Sequence, residues 1–134
     1  MANQFYAEWY FYAKSDFDQV LDMMKKANPH YHIGIYHLHQ SVEKLLKLLI
    51  MIHARQEEPP RTHDLLKLSI KAAESFSEIV SYQDSLIDLH EYLPRLRYPT
   101  GDRITHDDLE ICFAKVEPVL KALCQKIDEL MEML

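Results

Sequence analysis

Glycine is nearly absent, with only Gly34 and Gly101 in a chain of 134 residues. Phosphate-cradling loops need several glycines so that backbone N–H groups can approach the phosphates, which excludes P-loop and dinucleotide-binding chemistry. Cysteine is equally scarce. Cys112 and Cys124 lie twelve positions apart (124 − 112) in what reads as one helix, or about 18 Å at about 1.5 Å per residue, far beyond disulfide reach. Both are expected to be reduced core thiols. Long apolar runs are missing too: residues 45–52, the most hydrophobic stretch, already contain Lys47 and fall well short of the roughly 20 residues that span a bilayer. The first residues carry no cationic region and have Glu8 among their aromatics, so neither a signal nor a transit peptide is expected, and the expected address is cytoplasmic. Glu-x-x-His and His-Glu-x-x-His do not occur, which removes di-iron and zincin chemistry. Positive charge is in deficit, 15 Lys and Arg against 21 Asp and Glu for a net −6. That balance disfavours non-specific nucleic-acid binding and requires any such contact to be local.

What is present is helical periodicity. With 48% hydrophobic and 27% charged residues, the chain reads as one helical-bundle domain over residues 1–134 that can bury a self-sufficient core. A first helix is predicted over about residues 2–27, with Trp9, Ala13, Val20 and Met24 on one face, ending at Asn28-Pro29. A second, over about residues 30–55, repeats Leu38, Val42, Leu45, Leu49 and Ile52 by fours and threes, the pattern of a seam packed in a bundle. Pro59-Pro60 then break the chain, and Thr62 can cap a short third helix running to about Phe76. A fourth is predicted over about residues 79–92, followed by an irregular Pro-Arg-Leu-Arg-Tyr-Pro stretch. Thr105 caps the last helix, whose acidic start suits the positive helix end and whose apolar positions run from Leu109 to Leu134. Pro118 inside it is expected to bend it. No stretch alternates with period two, so the fold class is all-α, an antiparallel up-and-down bundle of four to five helices.

Three of the five arginines, Arg95, Arg97 and Arg103, fall within nine residues of this acidic chain. They form the best candidate for a phosphate contact, with Tyr98 available to stack on a base. The structural alternative buries Tyr98 at a corner and pairs Arg97 with a carboxylate such as Asp16. Asp16 lies towards the core side of the first helix, where an ionised carboxylate needs a partner, and Glu43 and Lys44 flank the seam of the second. These residues, with His63, are expected to share a polar structural network. His30, His32, His37 and His39 crowd the start of the second helix, but two-residue spacings do not share a helix face. No metal and no cofactor are expected. Phe5, Tyr6, Trp9, Tyr10, Phe11 and Tyr12 supply more aromatic surface than one core stripe can bury, which points to a protein interface or to packing over the bundle end.

Four blocks in sequence carry a resemblance: Trp9-x3-Ala13-x2-Asp16-Phe17, residues 39–47 (His-Gln-Ser-Val-Glu-Lys-Leu-Leu-Lys), Thr62-His63-Asp64-Leu65-x2-Leu68, and Arg97-Tyr98-Pro99. In order and spacing they resemble a HEPN domain over about residues 5–130. The resemblance implies an up-and-down bundle, commonly a homodimer encoded beside a minimal nucleotidyltransferase, with members serving as toxins or accessory subunits of toxin–antitoxin modules and contacting nucleotide or RNA. It also places His63, of the Thr-His pair, at the start of the third helix in a packing role. Active relatives are metal-independent ribonucleases marked by Arg, four to six residues, then His near the last helix. There His moves the 2′-hydroxyl proton and Arg stabilises the phosphorane charge. Here Arg55 precedes His63 by eight positions, Arg97 precedes His106 by nine, Arg95 by eleven and Arg103 by three. None fits, so a non-catalytic accessory role is expected. Arg97, Arg103 and His106 remain the residues of a displaced ribonuclease site, and a purely structural helical adaptor is the third alternative.

Overall fold

The computed structural model describes residues 3–27, 29–99 and 101–134. Its elements are α1 (Gln4–Met24), α2 (Tyr31–Ala54), α3 (Leu65–Ala72), a 3₁₀ segment (Ser77–Tyr82), α4 (Gln83–Glu91), the short α5 (Leu93–Arg97) and α6 (His106–Glu132). Five helices of eight residues or more, and no strand among the described residues, make an all-α bundle. The predicted start of the first helix at Ala2, and Asn28 of its stop signal, lie outside the described residues.

Cross-contacts set the directions of the long helices. Tyr6 hydroxyl donates to the Gln56 carbonyl, Ser41 hydroxyl to the Ala13 carbonyl, and His37 to Asp16, so α1 and α2 run antiparallel. Tyr10 meets Asp128, Phe17 stacks on Phe113 at 5.7 Å between centroids, and Met24 meets His106; α6 is therefore antiparallel to α1 and parallel to α2. The seam read from the sequence is the core: Leu38, Val42, Leu45 and Leu49 are at most 1% exposed. At Gly34 α2 and α6 approach closely, since a Cβ there would lie 2.9 Å from Leu109 Cδ2.

Four local expectations are corrected. The cap of α3 is Asp64, whose carboxylate accepts from the Leu66 and Lys67 N–H groups, while the Thr62 hydroxyl accepts from the Asp64 N–H. The α-helix of α3 ends at Ala72, and the fourth helix opens as a 3₁₀ segment before becoming α at Gln83. The stretch from Pro94 to Arg97 is helical rather than irregular, because Pro94 sits in the first turn of α5, where its missing N–H costs nothing. In α6 the Thr105–Asp108 capping box forms both its bonds, as its sequence leads one to expect, and the helix includes the exposed Pro118.

Candidate functional site

The turn after α5 brings the arginines together. Gly101, two positions after Pro99, has a φ of 93°, a left-handed conformation that residues with a Cβ rarely adopt. It carries the chain back so that Asp102 and Arg103 face the end of α5. The opposing wall is the α1–α2 connection and the first turn of α2. Between them lies a half-open cleft of about 460 Å³, lined by Arg95, Arg97, Tyr98 and Arg103 on one side and by His30 and His32 on the other. All four residues proposed from sequence for phosphate contact therefore line one cavity. His30 and His32, weighed only as metal ligands, were missed as its second wall, because nothing local links them to residues more than 60 positions away. Their rings are 6.2 Å apart.

Arg97 is not paired with Asp16, and Tyr98 is not buried. Its ring is 70% exposed, which removes the buried-corner reading. Asp16 is taken instead by Lys44, at 2.5 Å, and by His37, at 2.9 Å. Every ion pair among the described residues uses a Lys or a His as its cation, and none uses an arginine. Arg95 instead sits over the Tyr92 ring, with Cζ 5.6 Å from its centroid. Arg95, Arg97 and Arg103 thus line one cleft of an acidic protein, together with Asp102, and none of the three makes an ion pair among the described residues. Such a cluster is suited to an external oxyanion such as a phosphate, two of whose oxygens a planar guanidinium fork can bind.

The expected polar network is two networks. Adjacent residues on α2 diverge: Lys44 turns to Asp16, while Glu43 is buried and accepts from His63 Nδ1 at 2.8 Å and from Lys47 Nζ at 3.0 Å. His39, 1% exposed, lies one turn earlier, with its Nδ1 3.6 Å from Glu43 Oε1. Its ring is 5.7 Å from that of His90 on α4. His39, Lys47 and His90 were missed. The i, i+4 spacing of His39, Glu43 and Lys47 on one helix face is the signal that could have found the first two. Burial acts to raise the Glu43 carboxyl, but the bonds from His63 and Lys47 outweigh it and hold the group below the ordinary range. Burial pulls His39 down to about 4, against a smaller upward pull from Glu43, and His90, His63 and Arg97 add to the fall. Both cysteines are free; burial pushes the Cys112 thiol up to about 12, so it is not a nucleophile.

His106, the candidate base of a displaced ribonuclease site, does not line the cleft. Its Nε2 donates to the Met24 carbonyl at 3.3 Å, its Nδ1 lies 3.3 Å from Glu110 Oε1, and its ring meets Tyr31 edge-on at 5.3 Å. Both ring nitrogens are thus held by groups of α1 and α6. With Asp107 and Glu110 it forms the one group of three metal-capable side chains whose atoms converge, within 4.8 Å, among the described residues. The crowded histidines at the start of α2 form no such group. No helix among the described residues is long and apolar enough to cross a membrane.

Comparison with known proteins adds one finding. No curated protein and no solved structure matches the chain. The sequence model of the HEPN domain, by contrast, matches residues 6–127, a span that takes in α1 to α5, the arginine cleft and most of α6. With nearly the whole bundle matched, the chain belongs to the HEPN domain family.

Proposed function

We propose that this protein is a non-catalytic accessory subunit that holds a phosphate group of a nucleotide or RNA in the cleft of Arg95, Arg97, Tyr98 and Arg103. On this reading it works as a homodimer beside a nucleotidyltransferase-type partner, in a pair of the toxin–antitoxin kind. The observation that carries the ligand is that Arg95, Arg97 and Arg103 line one cleft, none of them in an ion pair among the described residues, beside an exposed Tyr98. The accessory role is supported by the absence of any Arg-x4-6-His spacing and by the engagement of His106 with Met24 and Glu110. A protein interface is supported by Phe11 and Tyr12, 64% and 59% exposed on α1, and by the half-open apolar groove that Phe5, Trp9 and Tyr12 form with Lys44.

The test is equilibrium binding of ATP and of a short single-stranded RNA, with metal-free incubation of the same RNA alongside. Wild type is expected to bind at least one ligand in a salt-dependent manner, and the RNA is expected to stay intact. Replacing both Arg97 and Arg103 by Ala should abolish binding without unfolding the bundle. Absence of binding to either ligand would reject the cleft reading and leave the structural adaptor. RNA cleavage by wild type and not by His106→Ala would move the assignment to the ribonuclease.

A further inference from the structure

The polar cluster between α2 and α4 lies outside the cleft, and its hydrogen-bond count does not close as it stands. Four buried polar atoms make no hydrogen bond: both ring nitrogens of His39, Oε1 of Glu43 and Nδ1 of His90. Buried groups of this kind are almost always satisfied. His39 Nδ1 lies 3.6 Å from Glu43 Oε1, slightly too far for a direct bond, and the two imidazole rings are neighbours, 5.7 Å between centroids. Glu43 Oε2 is already occupied by His63 and Lys47.

Donor and acceptor chemistry constrains the arrangement. A carboxylate only accepts, so the nitrogen facing Glu43 Oε1 must carry the proton. A neutral imidazole has a single N–H, so His39 Nε2 must then be the acceptor. His90 Nδ1, the remaining unsatisfied atom of the cluster, is the donor available to it, directly or through one water that passes the bond on in the same sense. We infer that Glu43, His39 and His90 form a one-directional carboxylate–imidazole–imidazole relay across the α2–α4 interface, with both histidines in the Nδ1–H form.

The surroundings fit a relay of neutral imidazoles better than an ion. A cation held by the cluster would sit near Lys47, which is 3.0 Å from Glu43, and the ligand atoms of His39, His90 and Glu43 do not converge as those of a metal site do. An anion would meet Glu43. The relay gives Glu43 a third donor and ties α4 to the buried face of α2. It also leaves Nε2 as the free acceptor of His90, whose ring is partly exposed, so a chain of polar groups leads from the interior towards the surface.

The test is two-bond ¹⁵N–¹H correlation of the imidazole rings in uniformly ¹⁵N-labelled wild-type protein at neutral pH, which reads each tautomer directly. Expected are a protonated Nδ1 and a bare Nε2 for both His39 and His90. In folded Glu43→Gln protein, the His39 pattern should become a mixture of tautomers. An Nε2–H form or a doubly protonated ring at His39 in wild type would overturn the relay, as would retention of a pure Nδ1–H form in Glu43→Gln. The wild-type spectrum decides the question even if that variant fails to fold.

Discussion

Acid should weaken this bundle through one residue. His39 is 1% exposed and protonates near 4 in the folded chain against 6.5 when exposed. Between those values the unfolded chain binds the proton and the folded chain does not. Stability from this group is therefore complete above pH 6.5, falls as the pH drops, and is gone below pH 4. That fall from 6.5 to about 4, at about 1.4 kcal/mol for each tenfold change in proton affinity, amounts to about 3 kcal/mol. For a domain of this size that is roughly 10 °C in melting temperature. Glu43 on the same helix opposes the effect, while His63, His90 and Arg97 from the neighbouring elements add to it. The assay is urea unfolding at steps from pH 7 to pH 4 for wild type and His39→Leu. Other groups, including the Glu43 carboxyl, contribute to both curves, so the difference in slope isolates His39. Wild type should lose about 3 kcal/mol more than the variant over this range. Parallel curves would refute the reasoning, because they would mean that His39 is protonated, or reaches water, at little cost in the folded state.

Three further outcomes follow from the packing and the cleft. Gly34→Val places a branched side chain where even a Cβ would meet Leu109 at 2.9 Å, so overpacking of α2 against α6 should cost about 2 kcal/mol in chemical denaturation, more than the gain in helix propensity. Asp64→Ala removes the carboxylate that accepts from Leu66 and Lys67 and should cost about 1 kcal/mol, whereas Thr62→Ala, which is outside the cap position, should cost less. Arg97→Ala, at an exposed position in the cleft, should leave the melting temperature within a degree or two of wild type; if Arg97 contacts the phosphate, the same change lowers ligand affinity about tenfold or more and flattens its salt dependence.

The helices were legible because amphipathic periodicity is a local property. Leu38, Val42, Leu45 and Leu49 repeat at the helical period whatever they pack against, and their near-zero exposure follows from it. Capping was less legible: Thr62 and Asp64 both suit the start of α3, and only the backbone geometry shows which one accepts from the first turn. The helical α5 was missed because proline was read as a breaker, although it is at home in a first turn. Of the polar residues, Asp16, Glu43, Lys44 and His63 were recognised as a group that needs partners, but their partition was not. Glu43 and Lys44 are consecutive, and a helix turns consecutive side chains about 100° apart, so they serve different neighbours.

Residue types and spacings of three or four were enough for an all-α fold, the seam of its central helix, the membership that its ordered motifs announce, and the concentration of arginine in one short stretch. Helix packing was needed to bring His30 and His32 into one cleft with Arg95, Arg97 and Arg103, to satisfy Asp16 by Lys44 rather than by Arg97, and to set His39 beside His90. The physical reason is the same in each case. Such pairings join residues tens of positions apart, and which side chains meet is set by the directions and rotations in which whole helices pack, with the burial of the apolar seam as the driving term.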